Sequence, residues 1–210
     1  MTTTLLFDID GTLMDTEEVM VKSLQATLEE QKSLTVPTHD LDFILGIPGK
    51  KALEKFSSSE SEIAFLHECW VKNVERFLDY AEIFPGIREL LSELKKMAIP
   101  LGVVTSKTNQ SMKTEFEPYG LSDYFTTVVT ASHTEKHKPN PDPINLALEL
   151  SGAKKAQAIY IGDSIYDMQS AHAAGIDFAL AKWGAKENTE FAQADIILAE
   201  PNDLLKYIER

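Results

Sequence analysis

The chain has 210 residues, and its 33 Asp and Glu residues outnumber its 20 Lys and Arg residues, giving a formal net charge of −13 at pH 7. This negative charge argues against nonspecific binding to nucleic acid, because phosphate backbones attract basic surfaces. With 43% hydrophobic and 25% charged residues, the composition is that of a globular protein that buries a substantial core without added cross-links.

Short runs of apolar and β-branched residues predict buried strands, since each run is closed by polar residues or glycine. In chain order these runs are 4–7, 101–104, 127–129, 158–161, 178–180 and 196–198. Helical patterns lie between them at 87–97, 110–119, 142–150 and 165–174, several of them followed by a glycine. Strands that alternate with helices predict an α/β fold, a parallel sheet with helices on both faces.

One long segment interrupts this alternation after the first strand. From residue 16 to residue 82 there is no convincing strand, and helical patterns occur at 17–31, 40–45, 50–56 and 60–80. The turn Phe84-Pro85-Gly86 marks the return to alternation. We therefore predict a core made of residues 1–15 and 83–210, with an inserted α-helical cap subdomain at residues 16–82.

Acidic residues follow the first predicted strand directly, in the sequence Asp8-Ile9-Asp10-Gly11. The two-residue period of a strand would point both aspartates the same way at its carboxyl end, the edge where open parallel sheets bind ligands. Two carboxylates in one site repel unless a cation or a shared proton neutralises them. Gly11 allows a sharp turn beyond them, and an Asp-Gly turn with solvated acids is the structural alternative.

Polar groups also follow the next two strands. Thr105 and Ser106 offer hydroxyl and backbone N–H groups of the kind that bind phosphate, although either residue could simply cap a helix. Lys138 lies in the proline-rich stretch 135–143, whose stiff backbone could hold its ammonium group against an acidic site. A solvated basic loop is the alternative for this stretch.

A second acid pair follows the strand at 158–161. Asp163 lies at the strand end, and Asp167 follows about one helical turn later, so both can face one site. One directly bound carboxylate and one that acts through water suit Mg²⁺, which takes oxygen ligands and keeps several waters. Helix capping would explain one of these acids but not both. Together, the strand ends favour phosphoryl transfer, with a carboxylate able to attack phosphorus.

In order and spacing, these residues resemble the haloacid dehalogenase superfamily of phosphohydrolases. Its pattern is D-x-D-G-T on the first strand, Ser or Thr on the second, Lys before Pro, and G-D-x-x-x-D, and all four motifs occur here. The helical insertion resembles the subclass that includes phosphoglycolate phosphatases, a small pyrophosphatase and β-phosphoglucomutase. The resemblance spans nearly the whole chain and implies a Rossmann-like core with a mobile helical lid.

The resemblance also implies roles for individual residues. Asp8 would be the nucleophile that forms an aspartyl-phosphate, and Asp10 the general acid and then the general base. Lys138 would hold both Asp8 and the phosphoryl group. The implied phosphate-binding residues are Thr105, Ser106 through its backbone N–H, and Gly11.

A Mg²⁺ cofactor is implied in the same way. It would bind the Asp8 carboxylate, the Asp10 backbone carbonyl and Asp163, with Asp167 holding a metal-bound water or Lys138. Substrate choice would lie mainly in the lid, since a phosphoenzyme must be shielded from water yet open for exchange. There, Lys50 in the stiff basic turn 46–51 is the predicted contact for an anionic substrate and Arg76 a second candidate, although both could be solvated surface charges.

We therefore predict a Mg²⁺-dependent phosphatase that hydrolyses a small anionic phosphate monoester such as phosphoglycolate, or pyrophosphate, through an aspartyl-phosphate. A phosphomutase is the main alternative, since it would use the same Asp8 chemistry but retain a bisphosphate. A dehalogenase needs no metal and would leave Asp10, Asp163 and Asp167 unexplained. A phospho-aspartate signalling domain or a noncatalytic binding protein is a further alternative.

The sequence also bears on location and assembly. Cys69 is the single cysteine, so an internal disulfide is excluded. The first apolar run, 5–7, is followed at once by an acid and leaves no room for a secretory signal. No window approaches 18 consecutive apolar residues. We expect a cytoplasmic monomer or homodimer with no nucleic-acid or membrane partner.

Overall fold

The structure, a computed structural model of the chain, describes residues 4–45 and 47–208. The chain separates into two compact units. The first unit contains Met1–Asp15 and Ile83–Arg210, and the second contains Thr16–Glu82. The second unit is therefore an insertion in the chain of the first, and its role as a cap stays a prediction.

Within the described residues, eight strands form two sheets. They are β1 (Thr4–Phe7), β2 (Met14–Asp15), β3 (Glu82–Ile83), β4 (Leu101–Val104), β5 (Thr127–Val129), β6 (Ala158–Gly162), β7 (Asp177–Ala181) and β8 (Ile196–Leu198). Strands β2 and β3 form a two-stranded sheet, and the other six form a sheet in the order β5-β4-β1-β6-β7-β8. All neighbours in this larger sheet are parallel.

The strand order fixes where a ligand can bind. From β1 the chain builds outward through β4 and β5, and then crosses to the other side of β1 to add β6, β7 and β8. The direction of winding thus reverses between β1 and β6. In open α/β sheets, ligands bind beyond the carboxyl ends of the strands at such a switch point.

Seven α-helices and eight short 3₁₀ helices accompany the strands in the described part of the chain. The α-helices are α1 (Glu17–Lys32), α2 (Gly49–Leu53), α3 (Glu60–Val74), α4 (Ile87–Lys96), α5 (Asn109–Glu115), α6 (Asp142–Ser151) and α7 (Ile165–Ala174). The 3₁₀ helices are Thr38–Asp40, Asp42–Ile44, Glu75–Tyr80, Glu117–Tyr119, Ser122–Tyr124, Lys155–Gln157, Thr189–Gln193 and Pro201–Tyr207. No helix among the described residues has both the length and the apolar character needed to span a membrane.

The predicted α/β, Rossmann-like parallel sheet is confirmed. All six predicted strands occur within one residue of the expected ends, and α7 has the expected bounds. Four predicted helices differ from expectation: the pattern at 40–45 forms only 3₁₀ turns, the pattern at 50–56 is α-helical only over Gly49–Leu53, and two others are shorter than expected. The pattern at 110–119 is divided between α5 and the 3₁₀ helix Glu117–Tyr119, which contains Pro118, a residue that lacks the N–H needed to continue an α-helix. The pattern at 60–80 is α-helical only to Val74 and then tightens into a 3₁₀ helix.

Apolar periodicity explains how the helices of the first unit pack. In α4 the buried residues are Ile87, Leu90, Leu91 and Leu94, the spacing of one helix face. The strands between the helices are buried along most of their length, with β1, β4 and β6 buried at every position. A sheet buried on both faces leaves only its strand ends open to solvent, which concentrates polar chemistry there.

The second unit is held together partly by a buried polar network between α1 and α3. The Asn73 amide donates to Thr27 Oγ1 at 2.9 Å and to Glu30 Oε2 at 3.1 Å. Trp70, only 2% exposed, donates from its indole N–H to Ser23 Oγ at 2.9 Å. Cys69 and Phe77 of the same unit are half-buried. Register between α1 and α3 is thus specified by hydrogen bonds as well as by apolar contact.

Removing this network tests its contribution. N73A removes the donor to the Thr27 hydroxyl and one of the two donors to the Glu30 carboxylate, which keeps its pair with Arg76, so we expect a loss of about 1–3 kcal/mol of stability. The measurement is urea unfolding followed by circular dichroism. K72A, an exposed neighbour on the same helix, is the control and should change stability by less than about 0.5 kcal/mol. Equal effects of the two variants would show that the network is dispensable.

Candidate active site

Asp8 lies at the carboxyl end of the central strand β1. Its backbone N–H donates to the Ile161 carbonyl of β6 at 2.9 Å, which continues the ladder one residue beyond the strand. The side chain is buried and forms an ion pair with Lys138, Asp8 Oδ1 to Nζ, at 3.0 Å. The predicted nucleophile and the predicted lysine are therefore brought together at the switch point of the sheet.

Lys138 joins several groups of the site. Besides Asp8, its ammonium contacts Asp167 Oδ1 at 2.7 Å and the Tyr160 hydroxyl at 3.1 Å. That hydroxyl in turn donates to the Val104 carbonyl, at the end of β4, at 2.8 Å. Because the Lys138 side chain is only 6% exposed, its position is fixed by these partners rather than by solvent.

Asp163 and Asp167 complete a cluster of buried carboxylates. One oxygen each from Asp8, Asp163 and Asp167 lies within 4.8 Å of the others. Asp163 Oδ1 accepts a hydrogen bond from Thr12 Oγ1 at 3.2 Å. The two acids after β6 thus converge on the acid after β1, as their spacing predicted.

Asp167 performs two tasks at once. With Ser164 it forms a capping box at the start of α7: Ser164 Oγ accepts from the Asp167 N–H, and the Asp167 carboxylate accepts from the Ser164 N–H. Its other oxygen contacts Lys138. Capping and site chemistry were alternatives in the sequence, and the structure shows that one carboxylate serves both the helix and the lysine.

Two glycines leave room for these carboxylates. A Cβ on Gly11 would lie 2.3 Å from Asp163 Oδ2, and φ is +77° there, a conformation that other residues rarely adopt. A Cβ on Gly162 would lie 2.6 Å from the Asp167 Cβ. The glycines of D-x-D-G-T and G-D-x-x-x-D therefore allow close approach of the backbone to the acids.

Burial and the repulsion between neighbouring carboxylates raise the pKa values of the acids in this cluster. Desolvation, opposed by Lys138 and reinforced by Asp167 and Asp10, raises the pKa of Asp8 from 3.8 to about 7. Burial together with the charges of Asp167 and Asp8 also raises the pKa of Asp163 well above its ordinary value. Burial alone would lower the pKa of Lys138, but the neighbouring carboxylates outweigh it and raise that pKa.

A divalent cation fits this arrangement. Three carboxylates face one ammonium group, and each offers an oxygen ligand. The pKa values of two of these acids, Asp8 and Asp163, are raised because the nearby positive charge offsets burial and repulsion only in part. Hard cations such as Mg²⁺ prefer oxygen ligands of this kind. The Asp10 carboxylate does not belong to the cluster, and the role of its backbone carbonyl as a metal ligand stays a prediction.

The Asp10 carboxylate forms an ion pair with a second lysine, Lys107. The strand ends at Phe7, so the direction of Asp10 is set by the following turn and not by a strand period. Its Oδ1 forms an ion pair with Lys107 Nζ at 3.0 Å, and Lys107 also pairs with Glu115 at 2.6 Å. Burial opposes the charge on Lys107, but these two carboxylates outweigh it and raise the Lys107 pKa.

The residues after β4 form a polar turn. Thr105 is buried, and its Oγ1 accepts from the Lys107 N–H at 3.1 Å. Ser106 is exposed. Both residues follow the strand that pairs with β1, which places them at the same edge of the sheet as Asp8.

In the second unit, Lys50 is an exposed residue of α2. It lies beside His67 of α3, whose pKa is lowered by burial and by the Lys50 charge. A Cβ on Gly49 would lie 2.9 Å from the His67 ring. Of the predicted turn 46–51, Gly46 lies outside the described residues. Arg76 forms an ion pair with Glu30 at 2.5 Å, so its charge is already partnered.

Sequence reasoning missed four residues that contact the site: Thr12, Lys107, Glu115 and Tyr160. Tyr160 carried a signal, because a tyrosine inside a fully buried strand needs a hydrogen-bond partner for its hydroxyl. The sequence contained no such signal for Lys107 and Glu115, because each resembles an ordinary surface charge near a helix. Only the folded chain brings the two residues together.

A profile of the haloacid dehalogenase-like hydrolase family matches residues 5–181 of this chain. The pyrophosphatase PpaX of Bacillus mycoides is 30% identical over 211 residues, with 99% of this chain and 97% of that protein covered. The pyrophosphatase PpaX of Listeria welshimeri is 33% identical over 214 residues, with 98% and 96% covered.

A solved structure gives the same result. A Lactobacillus plantarum protein, provisionally described as a phosphoglycolate phosphatase, superposes with a TM-score of 0.90 at 28% identity, over 98% of this chain and 99% of that chain. The similarity therefore extends over the sheet, the insertion and all four motifs. The chain belongs to the haloacid dehalogenase-like hydrolase family and is a phosphatase of that family.

Proposed function

We propose that this protein is a Mg²⁺-dependent phosphatase that hydrolyses pyrophosphate, or a small phosphate monoester such as phosphoglycolate, through an aspartyl-phosphate on Asp8. The observation that carries the proposal is the position of Asp8, a buried carboxylate at the sheet's switch point, ion-paired to Lys138 and clustered with Asp163 and Asp167. A nucleophile, a fixed cation and a cation-binding acid pair are the parts that phosphoryl transfer needs.

In the first half of the reaction, a carboxylate oxygen of Asp8 attacks phosphorus. An Asp8 O–P bond forms while the bond from phosphorus to the leaving oxygen breaks, and Asp10 in its acid form donates a proton to that oxygen. Lys138, held by Asp167 and Tyr160, stabilises the negative charge shared by Asp8 and the phosphoryl oxygens. Thr105 and the Ser106 N–H bind the phosphoryl oxygens at the end of β4.

In the second half, Asp10 is a carboxylate and accepts a proton from water. The water oxygen attacks phosphorus, the Asp8 O–P bond breaks, and inorganic phosphate leaves with Asp8 restored as a carboxylate. Asp10 then carries the proton it needs for the next cycle. Asp10 is suited to this exchange because its side chain is 34% exposed, whereas that of Asp8 is only 11% exposed.

Asp8, Asp163 and the Asp10 carbonyl are the proposed protein ligands of Mg²⁺, with Asp167 supporting them through Lys138 or water. When bound, the cation supplies positive charge that offsets the repulsion between an anionic nucleophile and an anionic phosphoryl group.

The substrate proposal rests on the relatives and on the second unit. Two relatives that are 30% and 33% identical over nearly their whole length are described as pyrophosphatases, so pyrophosphate is the first candidate and phosphoglycolate the second. Both are compact and strongly anionic. Lys50 is the proposed contact of the inserted unit with such an anion.

Replacing the nucleophile tests the mechanism. D8N removes the attacking oxygen's charge but keeps the side chain's shape, so we expect the turnover number to fall at least about a thousandfold. Phosphate release from pyrophosphate, phosphoglycolate and p-nitrophenyl phosphate is the measurement. D123N, a change of the same kind at an exposed position, should retain full activity. Normal turnover by D8N would remove Asp8 as the nucleophile.

Proton competition tests the cation site. Because the pKa of Asp8 is about 7, Asp8 is mostly protonated at pH 6 and ionised at pH 8, and the cation must displace that proton at the lower pH. We expect the apparent affinity for Mg²⁺ to rise about tenfold from pH 6 to pH 8, as measured by isothermal titration calorimetry. In D8N this increase should shrink, and full activity in excess EDTA would contradict the metal role.

Lys50 tests the substrate proposal. K50A should change the ratio of kcat/KM between pyrophosphate and p-nitrophenyl phosphate at least about threefold, because the loss of a charge contact affects the more anionic substrate most. K51A, an adjacent exposed lysine, is the matched control. If K50A leaves every such ratio unchanged, Lys50 does not contribute to specificity.

A further inference from the structure

The pair formed by Lys107 and Glu115 is the most deeply buried ion pair that the proposed mechanism leaves unused. Each side chain is only 8% exposed, and the Nζ to Oε2 distance is 2.6 Å. Burying two charges costs solvation free energy, so a buried pair is weak evidence for added stability. The second contact of Lys107, to Asp10 Oδ1 at 3.0 Å, gives the pair a position in the site.

Lys107 is held from three directions. Its backbone N–H donates to Thr105 Oγ1 at 3.1 Å, and its carbonyl accepts from the Ala131 N–H at 2.9 Å. Glu115, the last residue of α5, holds the ammonium end of the side chain. A long, flexible side chain is thereby fixed at both ends.

The charge on Lys107 is balanced as well as held. Glu115 supplies one negative charge at 2.6 Å, so at longer range the pair presents little net charge to an incoming anion. What Lys107 offers to Asp10 is an ammonium group fixed 3.0 Å from Oδ1, an oxygen that is buried and has no hydrogen-bond partner among the described residues.

We propose that Lys107, anchored by Glu115, is a positioning residue that occupies Asp10 Oδ1 and so leaves Oδ2 as the oxygen that exchanges a proton with the leaving group. The proposal rests on the function proposed above and assigns the proton-transfer atom within it. The half-exposed carboxylate of Asp10, in contrast to its two buried partners, is the part of this triad that a substrate can reach.

The assignment predicts a dependence on the leaving group. A 2,4-dinitrophenolate departs without a proton, whereas an alkoxide such as glycolate needs one, so a misplaced acid slows only the second kind of ester. The ratio kcat/KM includes every step up to release of the leaving group and excludes the later attack by water. Comparing kcat/KM for 2,4-dinitrophenyl phosphate and phosphoglycolate therefore isolates proton donation.

K107M keeps most of the length of the side chain but removes the ammonium group that contacts Asp10 Oδ1. We expect it to lower kcat/KM for phosphoglycolate at least about tenfold, and that for 2,4-dinitrophenyl phosphate less than about threefold. K107R should restore most of the loss, and E115Q should show a weaker form of the same selectivity. K113M, at an exposed lysine of the same helix as Glu115, should affect neither ester.

D10N and the double variant D10N/K107M complete the test. If Lys107 acts through Asp10, the double variant should be no slower on phosphoglycolate than D10N alone. Losses that are equal for both esters, or that multiply in the double variant, would overturn the positioning role. Absence of phosphate release from pyrophosphate and from both esters by the unaltered protein, or activity that survives D8N, would instead overturn the proposed function itself.

If K107M does not fold, as judged by its thermal melting, E115Q and K107R carry the same comparison. Uniform losses in these two variants would equally overturn the inference, and a loss confined to phosphoglycolate would support it.

Discussion

The crowding of three buried carboxylates around one ammonium group governs the rest of this structure. Asp8, Asp163 and Asp167 repel one another, and burial removes the water that would screen them. Lys138 offsets only part of that charge. Negative charge at this strand edge therefore exceeds the positive charge that Lys138 supplies, and this excess is the basis for the proposed cation site.

The fold supplies the means to hold such a cluster. Asp8 and Asp163 follow the ends of two adjacent strands, and Asp167 lies in the first turn of α7. Tyr160 ties Lys138 to the carbonyl at the end of a third strand. Glycines stand where a side chain would strike a carboxylate. Asp167 is stabilised by helix capping independently of the site, so part of the cost of placing this charge is offset by the helix it begins.

Much of this could be predicted from the sequence, because the strands are short apolar runs and the motifs follow their ends. Asp8, Lys138, Asp163 and Asp167 were placed together by topology alone. The contact of Asp10 with a lysine some hundred residues away in the chain was not predicted, because the direction of the Asp10 side chain depends on the turn that follows the strand. Local patterns specify strands and caps, but they do not specify which distant charge a side chain reaches.

The location of the site within the sheet has a consequence for its durability. Strands β4, β1 and β6 are interior strands, each hydrogen-bonded to neighbours on both sides. Backbone amides in such strands exchange with solvent only in the rarest openings, whereas edge strands and termini fray readily. Fraying of the edge strands β5 or β8 therefore does not displace the aspartates at the ends of the interior strands. Loss of their alignment therefore coincides with cooperative unfolding of the first unit.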